Sequence, residues 1–189
     1  ALSLEKVETE KRVMRFSLEQ VERAKPIIAK LLGGGEIKAV EGDDNEICLM
    51  LDRTCGTDYF QVYEQTGIVW GVGSRFQSIR SGAKPYNSFT IRRSRKSGAM
   101  TEFDKRRYAI KKNGVYPYLT MQGYYDENTR DILSLAIART VDIWECIENN
   151  NCIVRQTGYW QIGQSTFYVI DWTMFEKLGY KLLKYSKYE

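Results

Sequence analysis

Residues 51–77, LDRTCGTDYFQVYEQTGIVWGVGSRFQ, constrain the fold of this chain more than any other stretch. Tyr59-Phe60-Gln61-Val62-Tyr63 and Ile68-Val69-Trp70-Gly71-Val72 are dense in aromatic and β-branched side chains, and Glu64-Gln65-Thr66-Gly67 separates them. Such runs on either side of a Gly-containing loop predict a β-hairpin. The first strand is entered from Thr57-Asp58 and the second runs out into Gly73-Ser74-Arg75. Asp58 and Arg75 therefore meet at one end of the hairpin, either as part of a site or as a surface ion pair.

What surrounds the hairpin is one domain over 1–189, long enough for a sizeable core. Apolar residues make up 43% and charged residues 28%, ordinary values for a globular chain. No apolar run approaches the ~20 residues of a membrane span, so no membrane partner is expected. The first residues lack a signal-peptide core, which makes a cytoplasmic location the expectation. Cys48, Cys55, Cys146 and Cys152 have no C-x-x-C spacing, and the chain contains no histidine. They read as free thiols rather than zinc ligands. The missing histidine also excludes Ser-His-Asp and Cys-His triads. Any catalysis must rest on carboxylates, Lys/Arg, Tyr or a hard metal ion.

Along the chain, residues 1–16 are a first strand (Lys11 to Phe16) or an arm. Ser17-Leu18-Glu19-Gln20 is a capping box for a helix that buries Val21, Ala24, Ile27, Ile28 and Leu31, is kinked or restarted at Pro26, and stops at Gly33-Gly34-Gly35. Glu36 to Val40 is a short strand, Gly42 to Asn45 a turn, and Glu46 to Leu51 a buried strand. After the hairpin come a loop (Ser78 to Lys84), a strand (Ser88 to Arg92) and a helix over Glu102 to Lys112, capped by Thr101 with Asp104 in the box and ended by Asn113-Gly114. Tyr116 to Tyr124 reads as a strand and Arg130 to Glu148 as a long amphipathic helix. A hairpin of Tyr159 to Ile162 and Thr166 to Ile170, a helix from Asp171 and a frayed tail over 181–189 complete an α+β (mixed α/β) domain.

Charge is concentrated. Residues 75–112 carry twelve Lys/Arg against two acids, a local +10 in a chain of net +4. A clustered positive field suits a polyanion, and Arg, which leads Lys in the first half of the segment, binds phosphate bidentately. Arg80, Arg92, Arg93, Arg95, Lys96, Arg106 and Arg107 are the candidate nucleic-acid contacts, with Tyr86, Phe89 and Tyr108 interleaved for stacking on bases. A solvated basic face without a partner is the plainer alternative.

Metal-assisted phosphodiester cleavage needs two carboxylates and a nearby cation. Asp58 is the first acid. The next strand offers Gly73-Ser74-Arg75 and no acid, so the nearest second carboxylate is Glu102, with Lys105 one turn later on the same helix face. Asp52, Glu64 and Glu19 are reserve acids. The same residues have ordinary roles open to them: Asp58 bonding its own turn, and Glu102 favouring its helix dipole and pairing with Lys105 or Arg106.

The order helix, strand, strand with Asp58, strand with Arg75, helix with Glu102 and Lys105, then strand resembles the PD-(D/E)XK nuclease superfamily over residues 17–125. It departs from that pattern at Gly73. The resemblance implies a restriction-endonuclease-like core, a central mixed sheet flanked by helices, with residues 126–189 as a C-terminal helix, hairpin and short helix. It also implies Mg²⁺ (or Mn²⁺) held by Asp58 and Glu102, with Lys105, Arg75 and Gln77 assisting. Gln77 matches a polar position that some branches keep after the catalytic lysine.

The expected function is then a metal-dependent endonuclease acting on nucleic acid, DNA rather than RNA, with a homodimer compatible. The alternative is a non-catalytic nucleic-acid-binding or inhibitory protein on the same scaffold. A third reading, a nucleotide-handling transferase, would use Arg80, Ser81 and Glu102.

Overall fold

The computed structural model describes residues 19–40, 45–157 and 165–189. Helix α1 spans 19–31 and runs through Pro26 without interruption. It ends where Gly33, Gly34 and Gly35 all take positive φ, as the triple glycine predicts. Strands β1 (Glu36–Ala39), β2 (Tyr59–Tyr63) and β3 (Ile68–Ile79) form an antiparallel meander, and the predicted hairpin keeps its register, with Tyr63 opposite Ile68 and Tyr59 opposite Val72. β3 is longer than its apolar run. Its second half continues to Ile79, past the predicted loop boundary, because it pairs in parallel with β5 (Leu119–Asp126) from Val72 to Ile79.

Between β3 and β5 the chain forms β4 (Ser88–Arg95) and helix α3 (Glu102–Lys111). β6 (Ile132–Arg139), helix α4 (Thr140–Glu148), β7 (Ile153–Thr157), β8 (Ser165–Asp171), helix α5 (Trp172–Lys177) and β9 (Leu183–Ser186) follow. The six-stranded mixed sheet has the order β1-β2-β3-β5-β6-β9, and a second, antiparallel sheet has the order β4-β8-β7. The class is α+β.

The central strands β5 and β6 of the large sheet are buried on both faces. On one side Val21, Ala24 and Ile28 of α1 pack against Tyr59, Val72, Met121, Leu135 and Ile137. On the other, Tyr124, Ala136 and Ala138 join Phe89, Ile91 and Ile170 of the small sheet, Phe103 of α3 and Ile143 and Trp144 of α4.

Four expectations are corrected. Glu46 to Leu51 is not a buried strand but helix α2 (Glu46–Met50), continued by a wider, π-type turn over Leu51–Cys55. Asn45 caps it by accepting the Ile47 N–H at 2.9 Å, and Ile47 and Met50 stay exposed. The helix expected over Arg130 to Glu148 is two elements, β6 and α4. Ile132 to Ala138 is buried on both faces and paired on both edges, with β5 and β9. A run apolar on every side fits either structure, so periodicity alone could not separate them. The strand that pairs with β8 is Ile153–Thr157, with Thr157 opposite Ser165. The Tyr159 to Ile162 segment lies outside the described residues, as do the 1–16 arm, Ser17, Leu18 and 42–44. Finally, the tail is an edge strand: β9 pairs with β6, and Lys187 Nζ reaches Asp131 at 2.8 Å.

Candidate phosphate-binding cleft

At the end of the β2–β3 hairpin, the turn after α2, the start of β2, the middle of β3, the end of β4 and the first turns of α3 enclose a cleft of about 270 Å³. Asp58 enters it from the connection after Gly56, whose φ of +69° is a left-handed conformation suited to glycine. The Asp58 carboxylate reaches across the hairpin, where Oδ2 accepts the Ser74 N–H at 2.6 Å and the Ser74 hydroxyl at 3.4 Å.

Glu102 arrives from the opposite side. Thr101 Oγ1 accepts the Asp104 N–H, and the Asp104 carboxylate accepts the Thr101 N–H, the reciprocal capping box predicted from the sequence. The box places Glu102 in the first turn of α3, facing the sheet. There Oε1 pairs with Arg106 Nη1 and Oε2 lies 3.5 Å from Arg75 Nη2. The intrahelical pair anticipated for Glu102 is made with Arg106, while Lys105 turns to the Arg53 carbonyl at 3.4 Å.

Gly73 explains how these groups fit together. A Cβ there would lie 2.8 Å from Arg106 Nη2 and 3.1 Å from the Gly56 carbonyl. The Arg106 guanidinium fills the space beside Gly73, donates to the Gly56 carbonyl at 3.1 Å and lies over the Trp144 ring. The missing acid of β3 is thus a place occupied by an arginine. At 7% exposure, Arg106 lines the cleft and is not the surface contact its place in the basic run suggests.

Asp58 and Glu102 face six cations across the cleft: Arg53, Arg75, Arg92, Arg95, Lys105 and Arg106. Burial pulls the Arg92 guanidinium below the usual arginine value, and the neighbouring Arg75 and Arg95 add to the shift. The cleft lining carries four more positive than negative side chains. Comparison with protein-family models, with curated proteins and with solved structures found no match.

The remaining candidates divide. Arg92 and Arg95 line the cleft. Arg93 lies over Tyr168, Arg107 pairs with Asp104 at 3.8 Å, and Arg80 and Lys96 are exposed on loops. Gln77 lines a neighbouring groove rather than the cleft. Phe89 is fully buried and unable to stack on a base, whereas Tyr86 and Tyr108 are exposed. None of Asp52, Glu64 and Glu19 lines the cleft. Ser81 donates to Asp126 at 2.7 Å beyond the far end of β3 and does not line the cleft that holds Glu102. Arg53 was missed because its segment reads as a strand leading into a loop, and the turn that presents it has no local signature. Ser74, between Gly73 and Arg75, carries no sequence signal for the hydrogen bond its N–H makes to Asp58.

The divalent ion implied by the resemblance can be tested against this donor set. Among the described residues no three of His, Cys, Asp and Glu gather into a metal-binding group. Mg²⁺, however, is ordinarily bound through one or two carboxylates together with substrate phosphate oxygens. Asp58 and Glu102 in one cleft, among cations that attract phosphate, fit that mode.

Proposed function

We propose that this chain is a nucleic-acid phosphodiesterase of the PD-(D/E)XK type, acting on DNA in the cytoplasm. The observation that carries the reading is the meeting of Asp58 and Glu102, 44 residues apart in sequence, in one cleft with an excess of four positive charges. The order α1, β1, α2, β2 preceded directly by Asp58, β3 with Arg75, β4, α3 with Glu102 and Lys105, then β5 parallel to β3 is compatible with it, α2 and β4 being additions to the simpler pattern. Four free thiols suit a reducing compartment. Among the described residues no helix is long and apolar enough to cross a membrane.

A backbone phosphate entering the cleft meets Arg75 and Arg106, whose guanidinium groups bind phosphate oxygens in the same bidentate manner as carboxylate. Phosphate therefore competes with Glu102 for both arginines and frees its carboxylate within the cleft that Asp58 also lines. The Ser74 N–H holds Asp58 in place throughout. Asp58 and Glu102 would hold a divalent ion together with substrate phosphate oxygens, and the ion would supply charge neutralisation and activation of the attacking water. Lys105, one turn beyond Glu102, stabilises negative charge that develops on the phosphodiester oxygens.

Cleavage of a labelled oligonucleotide with Mg²⁺ or Mn²⁺ tests the assignment. Asp58→Ala and Glu102→Ala are expected to reduce the rate at least about a hundredfold, while binding measured in EDTA persists. Undiminished cleavage in both variants would refute the site. A second reading, a non-catalytic nucleic-acid-binding protein on the same scaffold, is favoured by one observation: Arg106 occupies the position beside Gly73. Steeply salt-dependent binding with no cleavage under any divalent ion would select it.

A further inference from the structure

Adjoining the cleft is a larger groove of about 510 Å³ between the two sheets, within the size range of small-ligand pockets. The two share Arg75 and Arg92 in their walls. Phe167 of β8 forms the groove's apolar wall, with the guanidinium groups of Arg75 and Arg92 over its ring at 5.3 and 5.4 Å. Tyr86 stands on the rim at 64% exposure. Gln77 and Arg155 bring amide and guanidinium groups to the same space. Arg92 Nε, buried at the junction of groove and cleft, has no hydrogen-bond partner among the described residues.

Aromatic surface, hydrogen-bonding groups and an adjoining anion cleft are the requirements of a nucleobase still attached to its phosphate. We infer that this groove is a base-binding subsite for a nucleotide whose phosphate lies in the Asp58–Glu102 cleft. The inference rests on the nucleic-acid reading above and deepens it. A base inside a duplex is stacked and paired and cannot enter a groove between two sheets, so the substrate presents an unpaired nucleotide, as a single strand or a flipped base. Arg75 and Arg92 couple the two compartments: each faces the phosphate cleft while resting on the ring that walls the base groove.

Fluorescence anisotropy in EDTA tests the subsite with three probes: a single-stranded oligonucleotide, the same strand carrying abasic sites, and the corresponding duplex. The intact single strand is expected to bind about tenfold or more tightly than the abasic strand, in line with the cost of losing base stacking on an aromatic side chain. The duplex is expected to bind more weakly than the intact strand. Tyr86→Ala, at an exposed rim position that gives up one ring-edge contact with Tyr124, should bring the intact strand down towards the abasic one and leave the abasic affinity unchanged. Equal affinity for intact and abasic strands, or an unaltered difference in Tyr86→Ala, overturns the base subsite and leaves the phosphate cleft standing. No binding to any of the three overturns the nucleic-acid reading and the subsite together.

Discussion

Arg106 shows how one side chain can set the character of a site. It sits beside two glycines, Gly56 and Gly73, that leave room for its guanidinium, and it holds Glu102 by an i,i+4 ion pair. Removing it leaves a half-buried carboxylate without its main partner, a loss of the kind that costs about 3 kcal/mol or more. Arg106→Ala is therefore expected to lower the unfolding free energy by about 3 kcal/mol in urea titrations. Arg107→Ala, whose exposed pair with Asp104 spans 3.8 Å, should stay within about 1 kcal/mol of the parent. Gly73→Ala tests the same space from the sheet. Its Cβ must displace Arg106 and press on the Gly56 carbonyl, an overpacking cost of about 1–3 kcal/mol. A Gly73→Ala protein as stable as the parent would show that the arginine does not fill this space.

β6 and α3 mark the two extremes of legibility. Helix α3 was readable because its start is written locally: Thr101 and Asp104 satisfy each other's backbone N–H groups whatever the rest of the chain does. β6 was not, because Ile132 to Ala138 owes its conformation to neighbours on four sides. Leu135 and Ile137 face α1, Ala136 and Ala138 face α4 and the small sheet, and β5 and β9 take the two edges. Local propensity is a weak prior, and tertiary pairing of this kind overrides it. Leu135 is fully buried, so Leu135→Ala should cost about 2–5 kcal/mol. Met50→Ala, in the half-exposed helix α2 that the apolar run EICLML disguised as a strand, should cost less than about 1 kcal/mol. The same urea titrations separate the two, and equal losses would contradict the burial of β6.

The two sheets are joined through Tyr124 of β5. Its hydroxyl donates to the Ser88 carbonyl at 2.7 Å and accepts from the Ser88 N–H at 3.3 Å, inside the shared core. Burial raises its pKa above the ordinary tyrosine value, the Ser88 bonds opposing the shift in part. The folded protein therefore holds this proton more tightly than the unfolded chain. The stability tied to it is intact below about pH 10, the unfolded value, and is lost as pH rises from there through the raised folded value. Tyr124→Phe is expected to cost about 1–3 kcal/mol at neutral pH through the groups of Ser88 it strands, and to lack this share of the alkaline loss. Denaturation curves at pH 8 and above pH 10 measure both. For the molecule as a ligand-binding body, concentrated positive charge predicts that log Kd rises linearly with log salt. Neutralising Arg95, exposed at the mouth of the cleft, should reduce that slope by about one.

The sequence by itself determined what depends on near neighbours and on composition. The β2–β3 hairpin and its register, the glycine stop after α1, the capped starts of α3 and α5, the exclusion of histidine chemistry and the concentration of charge in 75–112 all follow from residues a few positions apart or from counting. Asp58, Glu102, Arg75 and Lys105 came forward as a set from the needs of metal-assisted cleavage and the resemblance to a nuclease superfamily, and they line one cleft. Tertiary structure decided the rest. It made a strand of β6, gave β9 to the sheet edge, brought Arg53 from a turn with no signature, put Arg106 inside rather than outside, and set Phe167 of a distant strand against Arg75 and Arg92. Each of these outcomes is fixed by burial and pairing between segments tens of residues apart, where the free energy belongs to the assembled surface and to no single stretch of chain.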